Sequence, residues 1–474
     1  MTQHKSLLAI LAVLIVSLAA GCIEDSYTTS PSDQPRFSVD TLRIGTIFTD
    51  EPSPTSRFTV HNPHSEQLSI SRIALSGRDA GCFRINVDGM SGETFADVDI
   101  RARDSIFVLI EATLPQSQHI KPQEYLANVD FTVNGVTNSV VLHAEGQNVH
   151  RIKGSTISAD THFDADIPYQ IFDSLTVAEG ATLTLAPGTR LCFHDKARLI
   201  VRGTLVAQGT PEAPVLMEGD RQGNVVADIS FDIMSRQWQG VFFTASSTAN
   251  SLSHTIIRNT VQGVAVNGDE SADYSSSPQL SMLNCRLTNS GDLVLEAHHT
   301  AIEATGCEFS EASNGLVFLR GGTHSFASCT FANYYLFTAL GGPAIQFDHI
   351  GPELDDQSGL PWLKASFDNS IIYGNGTELS HGELEGTGIT FRRCLLKSNG
   401  EDDLNFIECI WNQDPLYYTV REDYIFDYRL RPDSPASEAA DMSLIPPHGT
   451  RDFYGLERSA PTAVGAYVYA PAAQ

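Results

Sequence analysis

Cys285, Cys307 and Cys329 stand 22 residues apart, and each opens the same short pattern: Cys285-Arg-Leu287, Cys307-Glu-Phe309, Cys329-Thr-Phe331. The register extends to Thr255-Ile-Ile257, Ile371-Ile-Tyr373 and Cys394-Leu-Leu396. An Asn recurs four residues after the first member, at Asn259, Asn289, Asn333 and Asn375. A unit this short cannot bury an apolar face alone and must stack on its neighbours. Its apolar segments are strand-like, so the expectation is a parallel β-helix. Alternate residues of each strand enter the lumen, and equivalent positions form internal ladders. Ten to twelve coils at about 4.8 Å each would stack to roughly 50–60 Å. The Cys column (Cys285, Cys307, Cys329, with Cys394) reads as small buried apolar residues. The Asn column reads as side chains that bond backbone groups inside a tight turn and pass hydrogen bonds along the stack.

Upstream, SLTVAEGATLTLAPGTRLCF and LIVRGTLVAQGTPEAPVLMEG alternate apolar and polar residues, broken by Gly180, Pro187-Gly188, Gly203, Gly209 and Pro214. With Trp238-Gln239-Gly240-Val241, Asp452-Phe453-Tyr454-Gly455 and Val464-Gly465-Ala466-Tyr467, this resembles right-handed parallel β-helix repeat proteins of the pectate-lyase-like type. The resemblance implies that residues 151–474 form such a solenoid, with Trp238 in its core and a C-terminal cap over the last coil. An uncovered β-edge invites association.

Residues 37–150 read differently. Arg57-Phe58-Thr59-Val60 runs into an Asn62-Pro63 turn, residues 68–73 alternate with period two, and DSIFVLIEAT is a longer apolar strand. Asn134-Gly135 between Val133 and Val136 is a strong hairpin signal. About seven such strands predict an antiparallel β-sandwich. SRFTVHNP, DSIFVLIE and VLHAEGQ resemble the immunoglobulin-like domain at the start of many Bacteroidetes-type surface lipoproteins, which implies a spacer or binding module. The expected fold class is therefore all-β: an immunoglobulin-like β-sandwich followed by a right-handed parallel β-helix.

The apolar run at residues 7–20 is 14 residues long, short for about 30 Å of hydrocarbon, and reads with its flanks (1–21) as a secretory signal. Leu18-Ala19-Ala20-Gly21-Cys22 resembles a bacterial lipobox, which implies cleavage before Cys22 and lipidation of it. A diacylglycerol plus an N-acyl chain on that residue exceeds the two-signal threshold for stable membrane anchoring. The Ser, Thr and Pro of residues 22–36 read as a flexible tether. Glu24-Asp25 resembles the export signal of surface lipoproteins, so the expected location is the outer membrane, exposed at the cell surface.

Basic minus acidic residues gives 30 − 57 = −27. That field repels phosphates, so nucleic acid is not an expected partner. No G-x-S-x-G, H-E-x-x-H, P-loop or G-x-G-x-x-G motif occurs. Asp292, Glu296, Glu303, Glu308 and Glu311 share no evident register. Asp355-Asp356 and Glu401-Asp402-Asp403 read as solvated loop charge, with a cation or sugar site as the alternative. No zinc spacing is present, and no cofactor is expected, Ca²⁺ being the one alternative. Ladder Cβ atoms sit about 4.8 Å apart where a disulfide needs about 3.8 Å, so free thiols are expected.

The candidate binding residues are aromatic: Tyr334 and Tyr335 after the Asn333 turn, and Trp362 in an insertion that breaks the 22-residue rhythm. Insertions in repeat folds often carry binding, and such rings stack on sugars. The expected function is a monomeric, lipid-anchored envelope protein whose non-catalytic β-helix binds a glycan or another surface molecule. Two other readings stay open: a polysaccharide lyase or glycoside hydrolase, and a purely structural surface protein.

Overall fold

The computed structural model describes residues 26–226, 229–269, 277–351, 362–380 and 384–469; Cys22 and the signal segment lie outside them. No α-helix occurs among the described residues. The chain divides into two compact units between Asn148 and Val149.

In the first unit, period-two alternation builds two sheets around one core. One carries Arg36–Phe37, Ser56–His61, Ser105–Ala112, Phe83–Val87 and Met90–Gly92 in that order. The other carries Thr41–Phe48, Val136–Gln147, Gln123–Val133, Leu68–Ser76 and Thr94–Phe95, with Val98–Ile100 also on Leu68–Ser76. Phe58, Val60, Val108 and Ile110 of the first meet Ile70, Val129, Phe131 and Leu142 of the second, all buried. These strands pair antiparallel except Thr41–Phe48, which runs parallel to Val136–Gln147. Asn134 and Gly135 take φ of +50° and +80° in the expected hairpin turn.

Residues 26–35 depart from the flexible tether expected of them. The Thr28 N–H donates to Gln67 O (3.1 Å), the Gln67 N–H to Ser26 O (2.9 Å), and the Asn134 side-chain amide to Ser30 O (2.9 Å). Main-chain pairing, which composition does not reveal, pins this stretch to the sandwich.

The second unit is built on a 26-stranded sheet in which every strand pairing is parallel, coiled as a solenoid, with a small antiparallel pair, Asn224–Val226 and Ile229–Ser230, beside it. Up to Leu379–Ser380 each coil adds a stretch of strand to each of three stacked faces, and the strands after it extend the first two faces alone. In one coil the three stretches are Thr182–Leu185 (first face), Arg190–Phe193 (second) and Arg198–Val201 (third). They pair with Thr204–Gln208, Val215–Gly219 and Gly240–Phe243 of the next coil. Alternation sends every second side chain inward. Leu199, Val241, Val264, Leu295, Val317 and Ile345 occupy successive rungs of the third face, fully buried. Inside the first face, Phe326, Phe367, Phe391 and Phe406 stack with centroids 5.0, 4.8 and 4.8 Å apart, close to the rung spacing of about 4.8 Å. Trp238 is fully buried, stacked on Phe193 at 4.0 Å.

The corner between first and second faces is made by single residues in the left-handed region: His254, Asn284, Gly306, Ser328, Asn369, Arg393 and Glu408, with φ between +41° and +64°. The column that follows is Thr255, Cys285, Cys307, Cys329, Ser370, Cys394 and Cys409. Cys285 Sγ donates to Leu283 O (3.4 Å) and Leu252 O (3.3 Å), and Cys307, Cys329, Cys394 and Cys409 repeat the pattern. Ser370 Oγ does the same at Asp368 O and Phe326 O. The column is thus a set of corner donors as well as apolar filler, and its thiols are free.

The Asn column lies at the corner between second and third faces and is only partly as expected. Asn259 Nδ2 donates to the carbonyls of Phe231, Asp232 and Met234, Asn289 Nδ2 to Asp232 O, and Asn333 Nδ2 to Ala312 O. The amides of Asn259 and Asn289 bond an overlying loop rather than one another. Asn375 is exposed, tied by its N–H to Asn333 O (2.7 Å). Register places Glu311 between Asn289 and Asn333, in the left-handed conformation that Asn259 and Asn289 share (φ +55°).

Residues 416–469 do not cap the last coil. They run back along the outside of the second face, where Tyr428, Leu430, Val464 and Tyr467 bury against Ala332, Ile371 and Leu395. The last coil is closed by Asp402 and Asp403 instead. The Asp403 carboxylate accepts the N–H groups of Asn405 (2.7 Å) and Phe406 (2.8 Å), and its own N–H donates to Phe406 O (2.8 Å). Asp402 accepts from the Cys409 N–H (3.2 Å) and Trp411 Nε1 (3.1 Å). Two acids expected to be loop charge therefore satisfy edge groups that would otherwise template another strand.

Candidate functional site

The strap at 416–469 and the loop around Asp232 cover the second face, and the third face carries a different outer surface. Its outward column runs Ile200, Phe242, Ala265, Glu296, Phe318, Gln346 and Ser380. Beside it run Asn267, His298, Arg320 and Asp348. Both columns exist because the period-two strand that sends Leu295, Ala297, Val317 and Leu319 inward sends these residues outward.

Phe318 is partly exposed at the centre. The His298 ring lies 5.5 Å from it, centroid to centroid. His298 Nε2 meets Glu296 Oε1 at 2.8 Å, and this hydrogen bond holds the Glu296 carboxyl below its usual range. Arg320 Nη1 pairs with Asp348 Oδ2 at 3.1 Å, and Gln346 Nε2 donates to Asn314 O at 3.0 Å. An aromatic ring is thereby set among polar groups on the rungs before and after it. Alongside lies an open cleft of about 540 Å³ lined by Arg236, Gln239, Gln262, Asp292, Asn314 and Thr338. Asn314 Nδ2 donates to Asp292 Oδ1 (2.9 Å), and the Arg236 guanidinium donates to Gly291 O.

The expected binding aromatics fall in different places. Tyr335 is 3% exposed, its hydroxyl on Ser235 Oγ at 2.6 Å. Tyr334 packs on Tyr428 (6.0 Å) and Tyr417 (6.4 Å) beneath the strap, and burial pushes its phenol pKa up. The strap returns over both, which leaves Tyr335 buried and Tyr334 partly exposed. Trp362 is half-buried and stacks on His349 at 4.0 Å; His349 directly follows Asp348, which places Trp362 at the margin of the third face. Phe318 and its neighbours escaped the sequence reading. Their signal was the polar–apolar–polar order of Glu296-Ala-His298 and Gln346-Phe-Asp348 around Phe318-Leu-Arg320.

No group of three or more His, Cys, Asp or Glu side chains converges to hold a metal ion among the described residues. Glu311, whose carboxyl burial pushes up to about 8, lies sealed behind the strap at 1% exposure. It is not on the open face.

No family model and no curated protein matches the chain. Solved structures give only partial likenesses. A family 123 glycoside hydrolase from Clostridium perfringens is 12% identical with a TM-score of 0.18, over 24% of this chain and 26% of that one. A PapD-like domain of human CEP192 is 15% identical with a TM-score of 0.18, over 26% of this chain and 89% of that one. The VesB protease of Vibrio cholerae is 15% identical with a TM-score of 0.16, over 25% and 33%. The chain thus spans about a quarter of the glycoside hydrolase and a third of the protease, and likenesses this slight assign neither family nor activity.

Proposed function

We propose that this chain is a bacterial cell-envelope lipoprotein, anchored through Cys22 and exposed at the outer membrane surface. In this reading an immunoglobulin-like sandwich precedes a right-handed parallel β-helix that binds an extended glycan without cleaving it. The observation that carries the binding reading is the Phe318 platform: a partly exposed ring with Glu296, His298, Arg320 and Gln346 on adjoining positions of an open sheet face. Aromatic faces take the apolar face of a sugar ring, and neighbouring polar groups take its hydroxyls. The non-catalytic reading is supported by the carboxylates themselves. Glu296 is held ionised by His298, whereas a general acid needs a raised pKa, and Glu311, which has one, is sealed off.

The test is binding of the full-length chain, in detergent, to plant, host and microbial glycans, beside the variants Phe318→Ala and Arg320→Ala. Each bound glycan is checked for new reducing ends and for unsaturated products. Binding that Phe318→Ala abolishes, with no product, is the expected result. Product formation would overturn the non-catalytic reading in favour of a lyase or hydrolase. Absence of any glycan ligand would leave a structural surface protein.

A further inference from the structure

We infer that the ligand of the third face is an uncharged polysaccharide chain lying parallel to the solenoid axis, held in part by the side chains of Gln239, Gln262, Asp292 and Asn314. This rests on the glycan reading above and deepens it. Direction comes first. These four residues occupy successive corners of the coil: the Gln262 N–H donates to Gln239 O (3.0 Å) and the Asn314 N–H to Asp292 O (3.2 Å). Rungs about 4.8 Å apart make of them a comb of amide and carboxylate groups roughly 14 Å long, running along the axis. Gln262 and Asn314 are exposed, and Gln239 and Asp292 partly so. Gln346 joins this comb to the Phe318 platform, because it occupies the rung after Phe318 and donates to Asn314 O.

Charge comes second. A polyanion needs unspent cations, and the two basic side chains nearest the Phe318 ring are already engaged. Arg320 is paired with Asp348 and His298 with Glu296, while Arg236, beside the comb, donates to Gly291 O. The Asp292 carboxylate already accepts from Asn314. The chain's net charge of −27 opposes uronates and sulfated glycans further. What remains is suited to hydroxyl groups: amides that both donate and accept, at regular spacing, beside an aromatic ring.

The experiment compares neutral polymers (xyloglucan, laminarin, dextran, mannan) with polygalacturonate and heparin, over a range of NaCl concentrations. The variants Gln262→Ala, Asn314→Ala and Phe318→Ala are measured beside the native chain. The expected result is binding of a neutral polymer whose affinity changes less than about twofold with salt. Gln262→Ala and Asn314→Ala should each weaken it about fivefold, the loss of one net hydrogen bond. Selective, salt-sensitive binding of a polyanion would overturn the inference while leaving a glycan-binding protein. Weakening by Phe318→Ala alone, with both comb variants unchanged, would overturn the axial placement. Failure of every polymer would overturn the glycan reading itself.

Discussion

Glu311→Gln should remove a pH dependence built into the attachment of the strap. Glu311 takes a place in the Asn column, in the left-handed conformation, with its side chain 1% exposed. Oε1 accepts from the Tyr428 hydroxyl and the Tyr334 N–H, while Oε2 has no hydrogen-bond partner among the described residues. Burial is the main cause that lifts its pKa from 4.5 to about 8. The Tyr428 hydroxyl, the Tyr334 N–H and the Arg421 charge act the other way, and Glu308 adds to the rise. The folded value lies above the unfolded one, so the native state holds the proton more tightly. Its contribution to stability is complete below about pH 4.5, falls as pH rises from there, and is lost above about pH 8. A rise of about 3.5 pH units corresponds to about 5 kcal/mol at most over that interval. Gln carries no titrating proton, so the variant's strap should keep nearly constant stability from pH 5 to 9 in this respect. Hydrogen exchange of the Val464, Gly465 and Ala466 amides, which bond Ala436 O, Asn369 O and Thr330 Oγ1, reads this directly once corrected for intrinsic rates. Parallel pH profiles in the native chain and in Glu311→Gln would refute the reasoning.

Phe367→Ala opens a hole in the middle of the Phe326–Phe367–Phe391 stack and should cost about 3–5 kcal/mol, seen as a lower thermal midpoint for the solenoid. Cys394→Ser should cost about 1 kcal/mol or less, because Ser370 makes the same corner bonds one coil earlier. Cys394→Val, which strips the donor from Phe367 O, should cost more, and equal midpoints would argue against the hydrogen-bonded corner. The double change Asp402→Ala with Asp403→Ala frees the N–H groups of Asn405, Phe406 and Cys409 at the last coil. Concentration-dependent association in light scattering is the expected outcome, and an unchanged mass would show that the edge is protected by something else.

The periodic part of this protein was legible in its residues alone. Alternation at Leu280–Leu283, repeated at 22-residue intervals, leaves stacked parallel strands as the way to bury one face of every unit, and the Cys register followed from it. Asn134-Gly135 likewise marked its turn through local backbone preference. Where the chain stops repeating, local chemistry ran out. The strap carries the aromatics of a cap, but whether it covers the last coil or the second face depends on long-range burial of Tyr428 and Tyr467, which also packs the strap against Tyr334. Asp402 and Asp403 resembled loop charge because their partners are backbone N–H groups, which leave no mark in a sequence. The third face had a local pattern, polar residues at alternate positions. Only the coil register brought Glu296, Phe318 and Gln346 onto adjacent rungs, because the intervening turns differ in length and the chain alone does not say which residues stack.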